Sequence, residues 1–367
     1  MTTDESYMKR ALYLAAQAKG HTSPNPMVGA VIVKDGRIIG EGYHHQAGEP
    51  HAEVNAINSA DEPVEGATIY VTLEPCSHYG RTPPCSDLII DKKLKRVVVA
   101  ALDPNPVVSG SGIERIRNAG IEVVTGVLEE ESRKLNEVFN YFITTKRPFV
   151  VMKYAMTLDG KIATETGESK WISSDASRNH AHHLRGQLSG IMVGIGTVLK
   201  DDPRLTSRVD GLPQPVRIVM DSQLKIPMDA RVLTEQNKAE TLILTTDQAP
   251  SAKKEALEKR GVMVKIVKES DGHVDLDEAM RIIGEYGVDS LLLEGGGTLN
   301  GAALKAGIVH KLSVYISPKL LGGAEAISPV MGHGVQHVTD AYKVKSVEIT
   351  RIEDDLHIEA YIDRSEN

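Results

Sequence analysis

The stretch Thr72-Leu73-Glu74-Pro75-Cys76-Ser77-His78-Tyr79-Gly80-Arg81-Thr82-Pro83-Pro84-Cys85, read together with His51-Ala52-Glu53, decides how the N-terminal part of this chain folds and acts. It contains both cysteines of a 367-residue chain. Two thiols this close together, beside histidines, read as metal ligands rather than as a disulfide, and they point to a reducing, cytoplasmic setting. A catalytic zinc needs about three protein ligands and one open position. His51, Cys76 and Cys85 supply that set. The metal would lower the pKa of a bound water, giving a hydroxide able to attack a ring carbon that bears an amine. A carboxylate must then carry the water proton to the ring and the leaving amine. Glu53 suits that task, because the ligand set is complete without it. Two positions apart on a regular helix face different ways, so His51 and Glu53 converge only in a first helical turn, which Pro50 announces. Cys85 follows Pro83-Pro84 and opens a predicted helix to Ile90, whose N-terminus favours a thiolate. A closed structural zinc site is the alternative, and it would recruit His78 or His44 as fourth ligand.

Around these words the hydrophobic pattern alternates between helix and strand. Residues 5–19 predict a helix with Met8, Ala11, Leu12, Ala15 and Ala18 on one face. Strands are expected at 28–33 and 37–42 across the turn Lys34-Asp35-Gly36, and at 67–73, 96–102 and 122–124. Helices are expected over 51–60 and 113–118. This makes an α/β domain over 1–145. The pattern restarts near Thr144 to Pro148. Strands at 149–154, 191–193, 216–221, 241–245, 262–267, 290–294, 312–317, 347–351 and 357–362, with helices at 174–185 and 276–286, make a second α/β domain over 146–367.

Composition narrows the function classes. The net charge of -8 disfavours a nucleic-acid partner, which needs basic surface to displace counterions. A small phosphorylated substrate needs only an arginine or two. No apolar run reaches the length of a membrane span, and the first twenty residues carry charge and a helical pattern, so neither a span nor a signal peptide is expected. Apolar-stranded α/β domains of this kind suit a homo-oligomer.

The His-x-Glu and Pro-Cys words are similar to those of the nucleobase deaminases. With Pro24-Asn25-Pro26-Met27-Val28-Gly29-Ala30-Val31, Asp103-Pro104-Asn105-Pro106 and Gly110-Ser111-Gly112, they closely resemble the deaminase half of the bifunctional riboflavin-biosynthesis deaminase/reductases. The wide gap between Cys76 and Cys85 belongs to that family rather than to the cytidine or tRNA adenosine deaminases. The resemblance implies a cytidine-deaminase-like three-layer domain. It implies that Asn25, His44, His78 and Arg81 line the deaminase pocket. Asn25 can pair with a ring edge, and Arg81 can meet a phosphate.

Three later stretches resemble the reductase half of the same family: Lys153-Tyr154-Ala155-Met156-Thr157-Leu158-Asp159-Gly160-Lys161 with Ser169-Lys170-Trp171, Gly194 to Thr206, and Glu294-Gly295-Gly296-Gly297-Thr298-Leu299-Asn300-Gly301. Read from the residues, the last is a strand end, three glycines and a helix start. Such a turn can cradle a pyrophosphate, although it is not the dinucleotide fingerprint and by itself reads equally as a tight turn. The resemblance implies a dihydrofolate-reductase-like fold and NADPH as hydride donor. It implies that Ala155, Trp171, Thr197, Asp201, Ser222, Gly296, Gly297, Thr298, Leu299, Asn300, Gly301 and Ala302 touch the cofactor. Lys153, Ser169, Arg185, Leu205, Arg208 and Glu294 would touch the substrate, with Arg185 and Arg208 suited to its phosphate. Lys153 and Asp159 are candidates for a proton donor, but read equally as a strand residue and a turn former. Trp171, the only tryptophan, lies in a polar setting that suits stacking on a ring.

The expected function is zinc-dependent deamination of a phosphoribosylaminopyrimidine, then reduction of its ribosyl group to ribityl. Two other readings stay open: a tRNA or nucleoside deaminase with an unrelated second domain, and a zinc-stabilised scaffold without turnover.

Overall fold

The structure is a computed structural model that describes residues 2–79, 83–105 and 109–364. Arg81 lies outside the described residues. The chain forms two compact units, Met1–Lys146 and Arg147–Asn367.

The first unit holds strands β1 (Gly29–Lys34), β2 (Arg37–Tyr43), β3 (Thr68–Leu73), β4 (Arg96–Ala101) and β5 (Glu122–Thr125) in the sheet order β2-β1-β3-β4-β5. β1 runs antiparallel to β2 and β3, whereas β3, β4 and β5 are parallel. Its helices are α1 (Thr3–Ala16), α2 (Ala52–Asn58), α3 (Cys85–Asp91), α4 (Ser111–Asn118), α5 (Glu129–Leu135) and α6 (Glu137–Thr145). Residues alternate between faces along each strand, and two cores result. Ala30, Ile32, Ile69, Val71, Val97 and Val99 pack against Ala52 and Ala56 of α2, Ile89 of α3, and Ile113 and Ile116 of α4. Val31, Val33, Tyr70, Val98 and Ala100 pack against Met8 and Ala11 of α1. A sheet covered on both faces makes three layers. Each fully buried Ile or Leu in it contributes about 1.5–3 kcal/mol.

The second unit holds β6 (Phe149–Thr157), α7 (Asp175–Gln187), β7 (Gly190–Gly194), α8 (Ile195–Asp201), β8 (Val216–Met220), α9 (Arg231–Thr234), β9 (Thr241–Thr245), α10 (Ser251–Glu258) and β10 (Met263–Ile266). The small hairpin β11 (Glu269–Ser270) and β12 (His273–Val274) follows, then α11 (Leu276–Glu285), β13 (Ser290–Leu293), α12 (Gly297–Lys305), β14 (Lys311–Ser317), β15 (Val344–Ile352) and β16 (Asp355–Ile362). The main sheet has the order β10-β9-β8-β7-β13-β6-β14-β16-β15. It is parallel from β10 to β14, and β16 and β15 extend it antiparallel. One face packs on Ala279, Met280 and Ile283 of α11 and Ala303 and Leu304 of α12. The other packs on Val198 of α8, Val232 and Leu233 of α9, and Leu257 of α10. No helix among the described residues is long and apolar enough to cross a membrane.

Candidate functional site

His51 sits at the N-cap of α2 in extended backbone, with φ −72° and ψ 165°. It stands just outside the helix while Glu53 occupies the first turn. That is how two residues two positions apart come to face one site. Cys85 is the first residue of α3, behind Pro84. The three side chains converge. The Nδ1 of His51 is 3.6 Å from the Cys76 Sγ and 3.3 Å from the Cys85 Sγ. The ligand atoms all lie within 4.8 Å of one another, which is compatible with one metal ion. The Cys85 backbone N–H also donates to the Cys76 sulfur at 3.3 Å. The hydrogen bond with Cys85, aided by His51, holds the Cys76 thiol down at about 4, against the opposing effect of burial. Glu53 is 3% exposed. Burial, reinforced by negative charge on Cys76, pushes it up to about 7.

His44 is not a fourth ligand. Its Nδ1 is 3.1 Å from the Pro50 carbonyl and its Nε2 is 3.2 Å from the Asn25 Nδ2. A carbonyl only accepts, so Nδ1 carries the proton and Nε2 accepts from the Asn25 amide. That bond uses the Asn25 NH2 group and leaves its amide oxygen as an acceptor. His78 is exposed, and among the described residues the metal-binding group is limited to His51, Cys76 and Cys85.

Two further residues support this site: Asn136, outside every motif, and Glu74, inside the Thr72–Cys85 stretch. Asn136, between α5 and α6, accepts from the Met27 N–H at 2.8 Å and donates to its carbonyl at 2.9 Å, which pins the segment bearing Asn25. Glu74, 4% exposed, accepts three backbone N–H bonds at 2.9–3.2 Å. Their partners are main-chain amides, which leave no signature in side-chain sequence.

In the second unit the expected site residues gather at the C-terminal ends of the parallel strands, where open α/β sheets place ligands. Lys153 and Ala155 lie on β6, Thr197 and Asp201 on α8 after β7, Ser222 just past β8, and Glu294 just past β13. Arg185 of α7 grips Glu294 through two bonds of 2.8 and 2.7 Å, with side-chain exposures of 15% and 12%. Burial raises the Glu294 carboxyl, but the charges of Arg185 and Lys153 outweigh it and hold it at about 2. Burial and the charges of Arg185 and Arg208 hold His182 down at about 4. Burial also lowers the Lys153 ammonium. Arg185 is thus engaged by a carboxylate, whereas Arg208 is exposed and, among the described residues, has no carboxylate partner. Leu205 and Arg208 both adopt positive φ, 55° and 61°, a strained geometry typical of functional loops.

The helix α12 starts at Gly297 with no side-chain cap. Space around Gly296 is open, and Thr298 is exposed. Gly297, Asn300 and Gly301 instead face the 328–331 segment. Asn300 is fully buried and donates to the Pro329 carbonyl at 2.9 Å, and a Cβ on Gly301 would lie 1.8 Å from the Met331 carbonyl. Ser222 accepts the Val274 N–H at 3.1 Å. Ser169 is half-buried, as is Leu299, while Ala302 is exposed. Asp159 accepts the backbone N–H groups of Leu321 and Gly322, which anchors a turn. Trp171 is 63% exposed, with the Arg178 guanidinium 4.4 Å above its ring.

Residues 1–101 match the cytidine and deoxycytidylate deaminase zinc-binding region, and residues 148–358 match the RibD C-terminal domain. The chain is 49% identical to riboflavin biosynthesis protein RibD of Actinobacillus pleuropneumoniae over 96% of its length and 94% of that protein. It is 43% identical to RibD of Escherichia coli K12 over 96% and 98%. The RibD structure from Acinetobacter baumannii superposes with a TM-score of 0.89 at 35% identity, covering 99% of each chain. The diaminohydroxyphosphoribosylaminopyrimidine deaminase/5-amino-6-(5-phosphoribosylamino)uracil reductase of Thermotoga maritima superposes with a TM-score of 0.85 at 41% identity, covering 98% and 99%. The three-layer first unit is cytidine-deaminase-like, and the second carries the dihydrofolate-reductase-like fold of the RibD reductase domain. Two folds in this order, one with a zinc-binding region and one of the reductase type, make the chain a member of the RibD family, the bifunctional deaminase/reductases of riboflavin biosynthesis.

Proposed function

We propose that residues 1–145 hydrolytically deaminate 2,5-diamino-6-(5-phosphoribosylamino)pyrimidin-4-one and that residues 146–367 reduce the ribosyl group of the product to ribityl with NADPH. The observation that carries the reading is the convergence of His51 Nδ1 and the Cys76 and Cys85 sulfurs beside a buried Glu53. One imidazole and two thiolates fit zinc, which when bound supplies an activated water. Glu53 takes the water proton and returns it to the ring and the departing amine. A carboxyl that titrates near neutrality can do both. Asn25, oriented by His44, meets the pyrimidine edge, and His78 and Arg81 serve the rest of the substrate.

In the second domain the uncapped start of α12, with open Gly296 and exposed Thr298, fits a pyrophosphate. NADPH held there, beside Ala155, Trp171, Thr197, Asp201 and Ser222, would supply the hydride. Arg208, backed by the positive field of Arg185, Arg204 and Arg231, takes the substrate phosphate. Arg185 orients Glu294, and Glu294 and Lys153 face the sugar with Ser169 and Leu205. The protein acts in the cytoplasm, a reading supported by its two free cysteines. It works as a homo-oligomer, a reading supported by exposed Val347 and Ile349 on the edge strand β15.

The test is an anaerobic assay of purified protein with the diaminopyrimidine. Chelator-sensitive ammonia release, followed by NADPH oxidation, is expected. Absence of both would sink the reading.

A further inference from the structure

Trp171 is largely exposed, yet both its ring and its backbone are held. The ring lies under the Arg178 guanidinium, 4.4 Å from the centroid. Arg178 is fixed in turn, because it donates to the Ser173 carbonyl at 2.6 Å and pairs with Asp175. Its helix, α7, is anchored at the start by Asp355, which accepts the Ser174 N–H at 2.7 Å and the Ser177 hydroxyl at 2.6 Å. The backbone is gripped by one ammonium: Lys319 Nζ donates to the carbonyls of Trp171 at 2.8 Å and Ile172 at 2.7 Å. Lys319 begins a mostly exposed segment, residues 319–331, that hydrogen bonds hold in place. The Lys319 carbonyl accepts the Leu158 N–H at 2.8 Å, Asp159 accepts the Gly322 N–H at 2.7 Å, and the Ala326 carbonyl accepts Lys161 Nζ at 3.2 Å. The far end rests on the first turn of α12. There the Met331 N–H donates to the Gly297 carbonyl at 2.9 Å, and Asn300 donates to the Pro329 carbonyl at 2.9 Å. One strap thus touches both the Trp171 stretch and the start of α12. Trp171, Lys319 and α12 follow the parallel strands β6, β14 and β13, at the edge where open α/β sheets place ligands.

We propose that Lys319 and Arg178 are positioning residues that hold Trp171 as a preformed stacking platform for a planar ring of the nicotinamide cofactor. An aromatic side chain left in water has little packing to fix it, and ordering it at the moment of binding weakens affinity. Here the fold orders it beforehand. Arg178 lies flat on the indole, which a planar guanidinium can do and an ammonium cannot. Lys319 fixes the main chain at Trp171 and at the residue after it, and its strap sets the platform in register with the start of α12. The inference rests on the NADPH reading above.

The test is K319M and R178M in the full-length protein, with ammonia release as the internal control. Calorimetric titration with NADPH should show the dissociation constant rising roughly two- to ten-fold in each variant, the worth of ordering one side chain on binding. The KM for NADPH should rise in parallel, with kcat much less affected. K319R, which keeps two donors for the two carbonyls, should bind NADPH like the wild type. With fluorotryptophan incorporated, the ligand-free wild type should give one narrow fluorine resonance, and K319M and R178M a broadened or doubled one. The wild-type line does not depend on any variant folding. A broad or doubled wild-type line, or an unchanged NADPH affinity in either folded variant, would overturn the proposal alone. A wild type that binds no NADPH would overturn the cofactor reading and this one with it.

Discussion

Exchanging Glu53 for glutamine should separate proton transfer from metal retention. Ammonia release should fall by roughly 100-fold or more, the usual worth of a general acid–base, while the zinc content holds. Metal analysis beside the deaminase assay checks it. The Arg185–Glu294 pair makes a different forecast, about stability and pH. Glu294 titrates at about 2 in the fold against an ordinary 4.5, so its stabilisation is complete above pH 4.5 and drains away toward pH 2. His182 titrates at about 4 against 6.5, so the fold loses further stability as the pH drops from 6.5 to 4. Denaturant midpoints should therefore fall in two stages on acidification. E294Q should cost about 3 kcal/mol and remove the lower stage, because it leaves Arg185 with a buried, unmatched charge. A midpoint flat from pH 7 to 3 would contradict this. At this scale the sequence showed what was local. His51, Cys76 and Cys85, which the fold brings together, stood out because ligand chemistry restricts residue type and spacing, and Glu53 stood out by its place two positions from His51. The pairing of Arg185 with Glu294 did not, because 109 positions separate them and only the fold joins α7 to the end of β13.

The helix α12 offers a paired experiment on one element. G301A drives a methyl into the Met331 carbonyl and should cost on the order of 1–3 kcal/mol of stability. G296A meets nothing within 4 Å, so it should leave the thermal midpoint unmoved while raising the KM for NADPH. Equal effects in the two variants would show that the glycine run is only a turn. Among elements, legibility followed amphipathicity. The strands of the first sheet declared themselves through residues that alternate between two cores, and Pro84 marked the start of α3. The helices α5 and α6 did not declare themselves. The first turn of α5 is Glu129-Glu130-Glu131, which masks its helical pattern, and α6 carries its apolar residues Val138, Phe139, Phe142 and Ile143 half-buried rather than in a core. The cost of missing them was Asn136, the clamp on Met27.

On the scale of the whole molecule, β15 is exposed along nearly its full length and closes the sheet at an unpaired edge, with Ile349 63% exposed. Its exposed Val344, Val347 and Ile349, set among charged residues, favour pairing with a second copy under the proposed reading. I349K should weaken self-association at least ten-fold in sedimentation, since the lysine would have to be buried in the interface. A wild type that sediments as a monomer at micromolar concentration would refute the oligomer. In the sequence the strand–helix pattern lapses and restarts near residue 146, and the structure forms two compact units, Met1–Lys146 and Arg147–Asn367. Finally, the single tryptophan stands exposed under a guanidinium in the reductase half. Its fluorescence therefore reports on one spot of the molecule, free of contributions from other indoles. Because reduced nicotinamide absorbs where indole emits, a titration with NADPH should dim that light in proportion to occupancy. Under the proposed function the lone indole is an optical gauge of cofactor binding, readable without substrate or turnover.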